Sequence, residues 1–428
     1  MKLVTTSGRN AAAGRKHIDA LLARRNSAYE RVLPAARRIV DGVRKGGDAA
    51  LHRYTEKFDG NTPPAQLQIS PEDMHTALDN IAPEFERALR TAAKNIRAFA
   101  EHQKPKDWNF APASGLTVGQ RIRAISSVGC YVPSGRYPLP STLLMTAIPA
   151  QIAGVERIVV VSPRPAPETL AAAAMVGITE FCRIGGAHAI AALAYGTKSI
   201  PRVDKIVGPG NVFVTAAKRL VAFDGAPFAC AIDMLAGPTE IVVTSESGNA
   251  GEIASDLVAQ SEHDPDAQAI FITTNPDLAN AVIAAVDQRT RSNKIAAESI
   301  ARNGVAIVVS TLDEAHSITN AIAPEHLTVD TMEDLAWVKN AGSVFIGRFS
   351  AQPLGDYISG PNHTLPTSGL ARARGGLSVM DFLKIITVQE YSVEGLRRLG
   401  PSAIALAEAE GLHGHAEAIR TRLAGEPQ

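Results

Sequence analysis

From about residue 120 onward the chain alternates short β-branched runs with alanine-rich helical stretches, and this alternation limits the fold more than any other feature of its 428 residues. Strand-like segments that recur between helical ones are joined by crossovers, so they build parallel sheets from βαβ units. Arg157-Ile-Val-Val-Val-Ser162 reads as a strand and Glu168–Val176 as the helix after it. Glu180–Ile184 leads through Gly185-Gly186 into a helix over Ala187–Ala194, and Lys205-Ile-Val207 leads through Gly208-Pro-Gly-Asn211 into Val212–Leu220. Three consecutive units make half of a Rossmann-type fold. In a second block the expected strands are Ile241–Val243, Ala269–Thr273, Val305–Val309 and Ser343–Ile346, with helices over Gly251–Gln260, Asp277–Val286, Asp313–Ile318 and Met332–Lys339.

Ahead of these blocks, Ala20–Arg24, Tyr29–Val43 and Glu84–Phe99 space apolar residues by threes and fours, the pattern of an all-helical lead-in. From Val379 the pattern turns helical again and ends in Ala403–Glu410 and Ala416–Leu423, a tail too thin to bury a core of its own. The expectation is an α/β protein: two Rossmann-like parallel-sheet domains, a helical N-terminal lead-in and a small helical C-terminal tail. Its parts are an arm over 1–20, a discontinuous first α/β domain over 21–130 and 238–378, a second over 131–237, and the tail over 379–428.

Charge excludes some partners. Forty-three basic residues balance 43 acidic ones, so no basic face is implied for nucleic acid or anionic lipid. Cys130, Cys182 and Cys230 are odd in number and scattered, which suits a reducing cytoplasm without a disulfide framework. Met1 to Lys16 holds no apolar stretch of signal type. Tyr137 to Val155 is uncharged for 19 residues, but Pro138, Pro140, Pro149 and Gln151 make it a loop entering a buried helix rather than a membrane span. Trp108 and Trp337 read as packing residues.

Several short segments hold chemically capable side chains. A glycine-rich turn between strand and helix suits a phosphate, because N–H groups at a helix start favour anions. Gly208-Pro-Gly210-Asn-Val-Phe213 nevertheless carries Phe where the dinucleotide fingerprint has its third glycine, leaving nucleotide binding and a plain tight turn both open. Gln260 and His263 share one helix face, as either a metal-binding pair or a surface histidine at a helix end. Asp356 and His363 lie in a turn-rich loop, and Glu410-Gly-Leu-His413-Gly-His415 gathers a carboxylate and two imidazoles. Together Gln260, His263, Asp356 and His415 make an N/O set suited to Zn²⁺ or a neighbouring divalent ion. Glu325-His326 joins the two groups most used for proton transfer near neutral pH, although adjacent pairs also arise by chance.

As strings, these segments resemble the histidinol dehydrogenase family. Ile232-Asp-Met-Leu-Ala-Gly-Pro-Thr-Glu240, continuing through Ala254-Ser-Asp-Leu-Val-Ala-Gln-Ser-Glu-His263, is similar to its long signature. Tyr54-Thr-Glu-Lys-Phe-Asp-Gly60, Tyr131-Val-Pro, Ala323-Pro-Glu-His-Leu327, Asn362-His-Thr-Leu-Pro366 and Gly376-Leu-Ser378 match other blocks in order. The resemblance implies a zinc enzyme that oxidises L-histidinol to L-histidine through L-histidinal with two NAD⁺, the final step of histidine biosynthesis. It implies zinc on Gln260, His263, Asp356 and His415, one ion per subunit, and Glu325 with His326 as the acid/base pair. Thr239, His363 and Glu410 join the zinc residues and His326 around the substrate, and Tyr131, His188 and Asn211 fall in the NAD region, within 131–237. It also implies a homodimer whose tail reaches the partner's active site. His188 stands where the family usually has Gln, Ser134 replaces a glycine, and Leu412-His-Gly-His415 departs from the usual tail. Paralogues that oxidise other small polar alcohols such as sulfopropanediol share the ligands and form the alternative. A zinc hydrolase could use the same ligands with Glu325 activating water, but would leave Asn211 and the βαβ block without a use.

Overall fold

The computed structural model describes residues 1–23, 28–59, 67–134, 137–225 and 230–425. Arg24, Gly60 and the end of the tail fall outside them. Two six-stranded sheets carry the molecule. The first runs Lys2–Thr5, Val305–Val308, Gln268–Thr273, Glu240–Thr244, His326–Val329, Ser343–Ile346, parallel throughout. The second runs Gln68–Ile69, Glu180–Cys182, Arg157–Val161, Ser127–Tyr131, Lys205–Val207, Ala231–Ile232, with only the Gln68–Ile69 edge antiparallel. Apart from that edge and the Lys2–Thr5 edge, each sheet lays its earliest strand in the middle, the next two to one side and the last two to the other. This is the doubly wound arrangement, and the chain reverses direction between its first and fourth strands.

Burial explains why these runs became parallel strands. Every residue of Glu240–Thr244 and of Ser127–Tyr131 is buried, as parallel strands covered on both faces must be. Ile241, Val243 and Phe271 pack under the helices Ala250–Ser261 and Pro276–Arg289, while Val242, Ile270, Ile272 and Leu327 face the other layer. Each such side chain contributes roughly 1.5–3 kcal/mol of burial. The uncharged stretch forms the helix Pro140–Ala153, buried along most of its length, and no described helix is long and apolar enough to cross a membrane.

The lead-in is helical as expected, but a strand precedes it. Lys2–Thr5 is a strand that extends the first sheet, so the N-terminal arm is part of that sheet. Helix Ala28–Asp59 packs on Gly186–Tyr195 and Val212–Ala222, helix Pro71–Asp79 on Pro167–Met175 and Pro83–Gln103 on Pro140–Ala153. By contacts this part of 21–130 therefore goes with the second sheet rather than with 238–378. The tail also opens on a strand: Leu383–Tyr391 pairs with Leu116–Ala124, which pairs with Trp108–Ala113 in a small antiparallel sheet. Trp108 is exposed there rather than packed, whereas Trp337 is partly buried and stacks on His316. Only then follow the helices Val393–Ala409 and His413–Ala424.

Candidate active site

The two sheets offer chemistry at opposite ends of their strands. In the first, the amino ends of neighbouring strands meet: His326 stands level with Ile241, which brings Glu325 and His326 beside Thr239 and Glu240. Glu325 and His326 are both buried. Glu325 Oε2 accepts from the Thr239 hydroxyl at 2.5 Å and from the Glu240 N–H at 2.9 Å. His326 Nδ1 lies 3.2 Å from the Glu240 carbonyl, to which it can donate, and 3.4 Å from the Gln260 amide nitrogen. Nε2 then points away, 3.6 Å from Asp356 Oδ1, without a hydrogen-bond partner.

Gln260, buried near the end of helix Ala250–Ser261, donates its amide N–H to Thr239 and leaves Oε1 unpartnered. Asp356 sits on the short helix Pro353–Tyr357, not in an open turn, and accepts from Gln352 at 2.9 Å. His363 Nδ1 lies 2.8 Å from the Asp356 carbonyl, and its Nε2 is 3.3 Å from the Thr142 hydroxyl. His326, Asp356, His363, Asn362 and Phe345 line an open cleft of about 500 Å³. Among the described residues, both non-glycine residues with left-handed backbone flank this cluster. Ala323 precedes Pro324-Glu325, and Ser368 donates its N–H to Glu240 Oε1 at 2.9 Å.

The electrostatics are those of crowded carboxylates. Burial disfavours the imidazolium of His326, but Glu325 and Asp356 outweigh it and push the group up to about 10. Burial first, then the charge of Glu325, pushes Glu240 up to about 8. Burial works to raise Asp356, yet His326 holds it below the ordinary carboxylate range. His363 is lowered by burial, partly opposed by Asp356.

The other expected ligands stand apart. His263 is exposed just beyond the helix end, its Nδ1 3.3 Å from the Gln260 carbonyl. Glu410 and His415 are exposed on the tail, whose two helices pack chiefly on each other. Among the described residues no group of three or more His, Cys, Asp and Glu could hold a metal ion.

At the second sheet the carboxyl ends of the strands open at the switch point into a cavity of about 350 Å³. Tyr131, His188 and Asn211 all line it, with Asp59, Arg164 and Phe213. Tyr131 is buried, which pushes its phenol up to about 12, and its oxygen accepts the Gly186 N–H at 3.1 Å. Asn211 caps helix Val212–Ala222 by accepting from Phe213 and Val214. His188 Nε2 lies 3.2 Å from Asp59, leaving Nδ1 buried without a partner. Asp59, Glu240, Gln352 and Ser368 were not foreseen. The signal was available for the first two, since Asp59 and Glu240 lie inside the segments Tyr54–Gly60 and Ile232–Glu240.

A family model described as histidinol dehydrogenase matches residues 22–423. The histidinol dehydrogenase of Bacillus thuringiensis subsp. konkukian is 46% identical over 412 residues, covering 94% of this chain and 95% of its own. That of Methanothermobacter thermautotrophicus is 45% identical over 422 residues, covering 95% and 97%. The crystal structure of histidinol dehydrogenase from Elizabethkingia anophelis matches with a TM-score of 0.92 at 33% identity, over 99% of this chain and 98% of that one.

Proposed function

The chain belongs to the histidinol dehydrogenase family, and from that premise we propose how its own residues divide the work. The reaction is the NAD-dependent oxidation of L-histidinol to L-histidine through L-histidinal, with Zn²⁺ as the second cofactor. The relatives favour this over a sulfopropanediol-type alcohol. The observation that carries the division is the pair of unpartnered buried atoms, Gln260 Oε1 and His326 Nε2, the latter 3.6 Å from Asp356 Oδ1.

A buried carbonyl oxygen left without a donor suits a cation, and the Asp356 carboxylate, close to His326 as Gln260 is, adds an anionic oxygen donor, so the donors present fit zinc. Gln260, His263 and Asp356 would hold the ion with His415. Zinc bound there would supply Lewis-acid polarisation of the amino alcohol, with no redox role of its own. His326 Nε2, which has no hydrogen-bond partner, would take the hydroxyl proton as hydride leaves to NAD⁺, the ring being held through Nδ1 at the Glu240 carbonyl. Thr239 and the Glu240 N–H fix Glu325 to activate the water that hydrates the aldehyde before the second oxidation. His363 and Glu410 line the substrate, the carboxylate suiting a cationic amine. Tyr131, His188 and Asn211 receive the dinucleotide in the unit spanning 131–237.

His415 is exposed in its own chain and no described metal set is complete, which supports a homodimer with composite sites. Exposed Phe110, Ile385, Ile386 and Leu406 around the small sheet and tail support the same reading, Leu406 being 67% exposed. A cytoplasmic setting accords with three free, buried cysteines. The deciding experiment counts NADH per mole of histidinol with and without a chelator. Two NADH, lost on chelation and restored by zinc, are expected; one NADH with free aldehyde released, or a preference for dihydroxypropanesulfonate, would overturn the reading.

A further inference from the structure

Behind the switch-point cavity lies a buried ion pair that the reaction does not use. Lys218, on helix Val212–Ala222, is 2% exposed, and Asp233, just after Ala231–Ile232, is 5% exposed. Neither is among the residues lining the cavity. Lys218 Nζ donates to Asp233 Oδ1 and, at 2.8 Å, to the Gly208 carbonyl. Asp233 Oδ2 accepts the Gly208 N–H at 2.7 Å. Gly208 is thus held through both of its backbone polar groups. Its φ of +111° suits glycine alone, and a Cβ there would collide with the Tyr131 carbonyl.

The pair also reaches the first site. Asp233 Oδ1 accepts the Met234 N–H at 2.6 Å, and the Asp233 carbonyl accepts from Arg374, which pairs with Asp381 at 2.9 Å. The segment that begins at Asp233 ends at Thr239 and Glu240, where Glu325 is held. Along it the Gly237 N–H donates to Thr367 at 2.6 Å and the Thr215 hydroxyl to the Ala236 carbonyl at 3.2 Å.

A buried ion pair is a poor source of stability, because desolvation consumes most of its attraction and apolar residues of similar volume do as well. What apolar residues cannot do is fix a turn through its own N–H and C=O. We propose that Lys218 and Asp233 are positioning residues: they set the Gly208-Pro-Gly-Asn211 turn, and with it the Asn211 amide, for the dinucleotide. This rests on the assignment of NAD⁺ to the switch-point cavity. The clamp grips Gly208 directly, whereas the segment toward Thr239 and Glu240 keeps the further anchors Thr367, Thr215 and Ser368, so loss of the clamp falls first on cofactor affinity.

The test compares steady-state kinetics of the zinc-loaded enzyme in three variants. Lys218→Met/Asp233→Leu removes both charges together and avoids a lone buried ion; Asp233→Asn keeps an acceptor for Gly208 and serves if the double variant does not fold. Asn211→Asp keeps the helix cap but removes the amide donor of a residue that lines the cavity. In the double variant KM for NAD⁺ should rise about tenfold or more, while KM for histidinol stays within about twofold. Asp233→Asn should show a smaller rise of the same kind. A purely structural pair would lower the unfolding temperature and the active fraction without moving KM for NAD⁺, and an unchanged KM in either folded variant overturns the clamp. Asn211→Asp separates the two failures: if it raises KM for NAD⁺ while the clamp variants do not, only the clamp falls. If none of the three moves KM, the cavity assignment falls as well.

Discussion

Glu325 and His326 are neighbours in the chain, but their environments differ, and the division of work proposed for them rests on that difference. His326 has its Nδ1 tied to the Glu240 carbonyl and its Nε2 bare toward the cleft, the arrangement of a base for the alcohol. Glu325 is gripped through one oxygen by Thr239 and Glu240. His326→Ala should slow oxidation of both histidinol and histidinal by roughly a hundredfold to ten-thousandfold. Glu325→Gln should hurt the aldehyde more than the alcohol; equal losses on both, assayed separately, would refute the division. Glu240 offers a pH test. Its folded-state pKa is raised, so its contribution to stability is whole below the unfolded carboxyl range and is lost as pH rises through about 8. Between pH 5 and 8 the wild type should lose stability on the order of 3 kcal/mol more than Glu240→Gln, which keeps the acceptor for Ser368 but cannot ionise. Parallel curves of unfolding temperature against pH for the two proteins would show that Glu240 ionises normally.

At the scale of elements, helices were legible because their caps and apolar spacing are local. Asn249 caps Ala250–Ser261 by accepting from Gly251 at 2.8 Å and Glu252 at 3.1 Å, within a residue of the expected start. Asn249→Ala should cost about 1 kcal/mol of stability in chemical denaturation and leave kcat unchanged, because Gln260 is held at the other end of the helix. A large loss of activity would mean that the whole helix shifts. Met332–Lys339 forms only a 3-10 segment over Met332–Ala336: a Thr331/Asp334 capping box opens it, Asp334 accepting the Thr331 N–H at 2.8 Å, and Asp334 also takes the Trp337 indole at 3.0 Å where the segment ends. Leu383–Tyr391 was missed because its nine-residue pairing partner lies far back at Leu116–Ala124, and no helix or strand period within the segment reports that. His326–Val329 is only four residues long and begins inside the Glu325-His326 motif, so it read as chemistry rather than as a strand.

On the scale of the whole molecule, one chain presents two parts of an active site and holds a third part out on its surface. His415, proposed as a ligand, is exposed while Gln260 is buried, so the proposed ligand set is expected to close only between subunits. Mixing His263→Ala with His415→Ala protein under subunit exchange should restore activity, since one site of the mixed dimer draws every ligand from intact segments. At random exchange that is one site in four at most, or half the sites of each mixed dimer, so recovery to about a quarter of wild-type activity is the ceiling. Exchange shown independently without recovery would mean that the tail serves its own chain.

The residues themselves determined the α/β class, the strand-and-helix alternation and the chemistry available, since side-chain period, caps and donor types are local properties. They also supplied the Tyr131, His188 and Asn211 set, which the fold then gathered into one cavity. Only the tertiary structure decided that the two working ends are opposite, amino ends in one sheet and carboxyl ends in the other. It also decided that Lys2–Thr5 closes a sheet edge, and that Lys218 and Asp233 meet behind a glycine turn. These depend on pairings across tens to hundreds of residues, where the free energy lies in register and burial and leaves no periodic trace along the chain.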